Sequence, residues 1–278
     1  MIRENITPEI QNAICSCYDR MRIYFDNHDV YSYRLNAYLE VEKYLWCNFL
    51  NQREYNFAKG HAYKIVATKF LEDVSNPWYK KLDIVEFTIK YLSCVDEILI
   101  KNDGYRRNME YVSEFFVRCL NREFKRLNFA YRVVNNEIVE ITSEQEIKTI
   151  EIAIENSSKN IQEHLSKAIE LYAKRPSADY RNSIKESISA VEAFCRKQTN
   201  KNTLGDALKM VQNKGVNIPQ MLITAFEKLY VYTNQPSSGI RHALMEEETD
   251  SSKEEAYFML VSCSAFINYL KAKLGNEF

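Results

Sequence analysis

Arg241 and His242 stand side by side in SSGIRHAL, residues 237–244, and join a permanent cation to a side chain that titrates near neutrality. A guanidinium can hold negative charge, and an imidazole can take up a proton and return it. The competing reading is a turn with a charged rim. There Arg241 pairs with Glu246, Glu247 or Glu248, and His242 bonds a turn carbonyl or Glu246 at i, i+4. On a helix the two side chains would diverge by about 100°. Convergence on one anion therefore needs a loop, which Gly239 permits, or a second subunit.

Glu192 is the third residue of interest. It falls in a helix predicted over about 178–198, where Ile184, Ile188, Val191 and Cys195 form an apolar stripe. Arg181, Lys185 and Glu192 lie on one shoulder of that stripe, roughly 50 to 90° from its centre. Glu192 is thus expected to be half-buried, with an i, i+4 partner available in Arg196, whereas Glu186 is expected to point into solvent.

Other chemistry has little to rest on. Walker, GxGxxG, HExxH and GxSxG patterns are all missing from the sequence. The seven cysteines are scattered without a CxxC, and His28, His61, His164 and His242 stand far apart, so neither zinc ligation nor a disulfide framework is expected, and no cofactor. Lysine and arginine number 37 against 38 aspartates and glutamates, so any basic surface must be local. In YRRNMEYVSEFFVRCLNREFKR, Arg107, Arg118, Arg122 and Lys125 lie near aromatics, an arrangement that would suit RNA stacking, but Glu110, Glu114 and Glu123 interleave with them, and an ion-paired helix face is the expectation. The amino terminus lacks the layout of a signal peptide. The longest apolar stretch, YFMLVSCSAFINYL, has the length of a buried core helix rather than a membrane span. No membrane association and a reducing cytosol are expected.

The elements that would position these residues are mostly helices, given six glycines and five prolines in 278 residues. Thr7 before Pro8 opens a helix to about Asp26, and a second runs from about Tyr31 to Asn51. A short helix near 62–73 precedes one that Asn76 caps and Pro77 begins, with Leu82, Val85, Ile89 and Leu92 on one face. Another spans roughly Tyr105 to Leu127, turning Phe115, Phe116 and Cys119 toward a core. Around Asn135-Asn136 two β-branched runs predict a hairpin within about 129–142, the pair tolerating the positive φ of a tight turn. Ser143 and Glu146 form a capping box for a helix over about 144–154, and one from about Ser158 to Ala173 ends at KRPSADY, the best linker. Beyond the 178–198 helix, three more are predicted at about Leu204–Asn213, Pro219–Thr233 and Lys253–Leu274. Ser251 or Ser252 caps the last of these, whose first turn holds Glu254 and Glu255. The boundary between two domains is set at 156/157.

YRNSIKESISAVEAF, LYVYTNQPSSGIRHAL and AYFMLVSCSAFINYL resemble the carboxyl-terminal helical domain of AbiJ-type abortive-infection proteins, a branch of the HEPN superfamily. YLWCNFL, NPWYKKLDIVEFTI and LNFAYRVVNNEIVEIT resemble the amino-terminal domain that accompanies it. The resemblance implies a mainly α protein: an AbiJ-type domain over 1–156, then a HEPN-like bundle over 157–278 that dimerises with a second copy. It also implies an antiphage, toxin-like role. Active HEPN members are metal-independent ribonucleases in which an arginine and a histidine four to six residues apart act with a polar residue of an earlier helix. Attack of a ribose 2′-OH on phosphorus needs a base, an acid for the leaving oxygen and a cation for the phosphorane.

Arg241 and His242 depart from that spacing, being adjacent. Arg22 and His28 have it, but about 0.65 such matches arise by chance among 15 arginines and 4 histidines, and a helix end followed by a turn explains them. Two readings follow. In one the protein is a homodimeric ribonuclease in which Arg241 stabilises phosphate charge, His242 transfers the proton and Glu192 orients the histidine. In the other the helical domain is a non-catalytic dimerisation or sensing module, and the amino-terminal domain binds a phage or host partner.

Overall fold

Thr7 and Pro8 start the first helix as their types dictate: the Thr7 hydroxyl accepts the Ile10 N–H at 3.4 Å, and α1 runs Pro8–Asn27. The computed structural model describes residues 1–27, 37–59, 65–102, 110–141, 143–155, 157–199, 204–213, 217–234 and 251–274. The chain divides into two compact units, Met1–Glu140 and Ile141–Phe278.

In the first unit, α1 is followed by α2 (Ala37–Tyr44), a π-helical turn (Leu45–Phe49), α3 (Glu54–Lys59), α4 (Val66–Glu72), α5 (Trp78–Asn102) and α6 (Val112–Arg126). The stripe Ile14, Cys17, Tyr18 and Met21 of α1 is buried with Phe116, Leu120 and Phe124 of α6 and with Leu82, Val85, Ile89 and Leu92 of α5 in one core. Truncating one such side chain to alanine costs about 2 to 5 kcal/mol.

The hairpin closes this unit. Strands β1 (Arg132–Val134) and β2 (Glu137–Val139) pair antiparallel with Val133 opposite Ile138, and Asn135 and Asn136 take φ of 49° and 65°, as the two-residue turn requires. A lone two-stranded ladder is marginal in water. Here its outer edges are occupied by helix side chains: the Asn121 amide of α6 both donates to the Val133 carbonyl (3.0 Å) and accepts its N–H (2.7 Å), while Glu86 of α5 accepts the Ile138 N–H (2.8 Å). Ile2 adds a parallel bridge at Phe129.

Two helix starts differ from expectation, and for one reason. The residues preceding α4 and α6, Ile65 and Tyr111, offer no side-chain cap. The buried carboxylate of Glu42 instead accepts the Val66 and Ala67 N–H groups (2.5 and 3.3 Å), and Asp96 accepts that of Ser113 (2.9 Å). Likewise Asn76, expected to cap α5, donates to the Phe70 carbonyl at 2.9 Å. The helix α3 and the π-helical turn were not expected.

The second unit comprises α7 (Glu144–Glu155), α8 (Lys159–Ala173), α9 (Tyr180–Thr199), α10 (Leu204–Asn213), α11 (Gln220–Asn234) and α12 (Lys253–Leu274). The segment KRPSADY lies inside this unit and joins α8 to α9, where Asp179 caps α9 through the Asn182 N–H (3.1 Å). Its proline and small residues mark a tight helix-to-helix connection rather than a linker. Ser183 Oγ donates to the Ala168 carbonyl at 2.8 Å and His164 meets Glu186, so α8 and α9 run antiparallel. The capping box of α12 is complete, with Ser252 and Glu255 exchanging bonds at 2.9 and 3.2 Å. That of α7 is half-formed: Ser143 accepts the Glu146 N–H at 3.4 Å, but the Glu146 carboxylate takes the Tyr257 hydroxyl of α12 instead of reaching back.

Candidate functional site

Glu192 occupies α9, one turn before Cys195, and is half-buried as its shoulder position predicts. The stripe it flanks is core: Ile184, Ile188, Val191 and Cys195 are buried. Burial, with the Glu192 carboxylate adding to it, pushes the Cys195 thiol up to about 12, so this sulfur is a packing group rather than a nucleophile. Helix α9 packs against α8, α12, α10 and α11. Arg241 and His242, in the sequence between α11 and α12, lie outside the described residues, as does His28 just after α1; Arg22 is exposed on α1.

Glu186 does not point into solvent. It is half-buried and meets His164 Nδ1 of α8 at 2.6 Å. The reason lies in the second face of α9. Ser183, Ser187 and Ala190 are all buried, and this face of small residues carries no apolar signal for periodicity to detect. With its shoulder closed by α8, Glu186 finds the imidazole. A carboxylate on Nδ1 favours the tautomer that carries its proton there and leaves Nε2 as an acceptor. Twenty-two residues separate the partners, and only the antiparallel register brings them together.

A second group that spacing could not reveal is Lys271 of α12. Its ammonium donates to the Ala153 carbonyl in the last turn of α7 at 3.1 Å, and burial lowers it to about 8. The neighbouring Asn268 amide donates to the Thr149 carbonyl at 2.8 Å, so α12 holds the middle and the last turn of α7 through two side chains.

In the first unit the basic segment is ion-paired, as expected, though with an added partner. Arg118 forks onto Glu110 at 2.8 and 2.7 Å and lies 5.4 Å from the Phe115 ring centroid. Glu123 collects Arg20 of α1 (2.9 Å), Arg122 (3.3 Å) and Arg126 (2.7 Å). Burial alone would raise the Glu123 carboxyl, but hydrogen bonds from Arg126 and Arg20 outweigh it and hold the group down at about 2. Arg20 and Arg126 were not singled out in the sequence, and Arg107 lies outside the described residues.

These features define a class first: a mainly helical protein of two units, one closed by a hairpin and the other a helical assembly with acid–base side chains on its helix faces. None of its described helices is long and apolar enough to cross a membrane, and no group of three or more metal-ligating side chains is found among the described residues. The chain belongs to the AbiJ N-terminal domain 4 family, whose model matches residues 1–156. That span covers the first unit and α7, and family membership points to abortive-infection defence against phage. No curated protein and no solved structure matches the chain.

Proposed function

We propose that the protein is an antiphage abortive-infection effector whose carboxyl-terminal part, residues 157–278, is a HEPN-type domain that cleaves RNA as a homodimer without a metal. In this reading the amino-terminal domain, residues 1–156, senses a phage or host component. Arg241 stabilises charge on the phosphorane, His242 moves the proton, and Glu192 orients or tunes the histidine. The observation that supports it is topological: Glu192 sits on α9, and α9 packs against α11 and α12, the two helices whose sequences flank Arg241-His242.

Expression of wild type, Arg241→Ala and His242→Ala under phage challenge tests the reading. Both variants should lose plaque reduction and host toxicity by about 100-fold or more, the cost of removing a general acid–base group or its electrostatic partner. Full toxicity and full RNA cleavage by His242→Ala would sink the assignment. The adjacency of Arg241 and His242 favours the second reading, a non-catalytic dimerisation or sensing module. It gains if pure protein, incubated at length with total RNA, yields no fragments with cyclic phosphate ends.

A further inference from the structure

Three arginines of α1 and α6, Arg20, Arg122 and Arg126, converge on one acid. Arg118, Arg122 and Arg126 follow one another at intervals of four and so form a row along one ridge of α6, rising about 6 Å per step. Glu110 matches Arg118 one for one through both of its oxygens. The other two, with Arg20 from α1, share the single carboxylate of Glu123. Three cations on one anion leave a surplus of two positive charges.

The same geometry fixes where that surplus points. Glu123 is 8% exposed, whereas the side chains of Arg20, Arg122 and Arg126 are 41%, 56% and 61% exposed. The carboxylate therefore lies beneath the guanidiniums and draws them together by one N–H each, at Nη1 of Arg20, Nη2 of Arg122 and Nε of Arg126. A guanidinium carries five N–H donors in a planar fork. Most of these donors are left open to water, on side chains that have already been drawn into place. That arrangement costs less to order around an anion than three independent arginines would.

We propose that this arginine cluster is a docking surface for the phosphate backbone of single-stranded RNA. Arg122 and Arg126, one step of about 6 Å apart along α6 with Arg20 beside them, complement a chain with one charge per nucleotide better than they complement a single phosphate or an irregular acidic peptide. The planar forks suit phosphate oxygens. The choice of RNA over DNA rests on the ribonuclease reading above; the polyanion contact does not.

The test uses the full-length chain and a labelled single-stranded RNA of about 20 nucleotides, followed by fluorescence anisotropy across salt concentration. Arg122→Gln combined with Arg126→Gln should weaken binding at least about tenfold at low salt and reduce the slope of log affinity against log salt by about 1.4, two phosphate contacts on a single strand. Arg53→Gln with Lys159→Gln, exposed cations elsewhere, should change neither. Unchanged affinity and slope in the Arg122, Arg126 variant would overturn the proposal, as would an equal loss in the control or tighter binding to polyglutamate. Tighter binding to DNA of the same sequence than to RNA would overturn the assignment to RNA, since backbone contacts alone treat the two alike. Performing the titrations in a His242→Ala background separates this surface from the cleavage reading: binding without any cleavage by the wild type leaves the surface standing and removes the nuclease. Cleavage that proceeds while the double variant binds normally does the reverse.

Discussion

The two units differ in the polar groups they bury, for among the described residues only the first buries ionisable ones. Within it Glu42, Lys81, Asp96, Glu123 and Glu137 are buried beside the hydroxyls of Thr68, Thr88 and Ser113; within the second the buried polar residues are Ser183, Ser187, Thr199, Thr233 and Ser264, hydroxyls without exception. A hydroxyl can be satisfied locally, and three of these donate to carbonyls within their own helices: Ser187 to Ser183, Thr199 to Cys195 and Thr233 to Tyr230. A carboxylate cannot be satisfied this way and must find N–H donors or cations on another element. The first unit is consequently tied together by long-range polar contacts, each of which demands one arrangement of helices. The second is assembled mainly by close packing of α8, α9 and α12.

The sharpest way to break this contrast is to neutralise Glu42. Burial pushes its carboxyl up from the ordinary 4.5 to about 7, with hydrogen bonds from Tyr38 and from the Val66 and Ala67 amides opposing the rise. The folded state therefore binds the proton more tightly than the unfolded chain. Stability from that proton is fully present below about 4.5 and is lost as pH rises through about 7, a difference of about 3 kcal/mol. Glu42→Gln keeps an acceptor for α4 and should match the wild type at pH 4, then exceed it by up to about 3 kcal/mol at pH 8 in urea unfolding. A constant offset across that range would mean that Glu42 is not titrating in the fold.

A smaller effect is expected at Asp96. Asp96→Ala removes the acceptor for the Ser113 N–H and should cost about 1 to 2 kcal/mol. Hydrogen exchange in the first turn of α6 should quicken with it, and Asp96→Asn, which still offers an oxygen, should recover most of the loss. If α6 is unaffected, its start does not depend on the first unit's buried charge.

The second unit should respond least. Ser183→Ala gives up one bond to the Ala168 carbonyl, which is also the acceptor of a helical N–H, so about 1 kcal/mol or less is expected, with no dependence on pH between 4 and 8. A loss comparable to that of Asp96→Ala, read by the same urea titration, would erase the distinction between the two kinds of polar core.

This difference also explains what could be read from the sequence. Helices that begin with their own caps, at Thr7, Ser143 and Ser252, were located to within a residue or two, since cap and helix are neighbours in sequence. The starts of α4 and α6, capped by Glu42 and Asp96 from other helices, were misplaced because no local pattern marks them. The hairpin was legible through Asn135-Asn136, whose left-handed backbone is a local property. The half-burial of Glu192 was legible from its angle to an apolar stripe, whereas that of Glu186 was missed because the face that buries it is built of serine and alanine. His164 and Lys271 acquire their partners only once α8 lies against α9 and α12 against α7. The surplus charge around Glu123 was hidden for the same reason, since Arg20 arrives from a helix 103 residues away.

The hairpin has one more consequence. With the outward-facing amide of Val133 engaged by Asn121 and that of Ile138 by Glu86, neither strand has its central rung available to an extended peptide. A phage or host protein cannot be recognised here by adding a strand, nor can two copies join through their sheets.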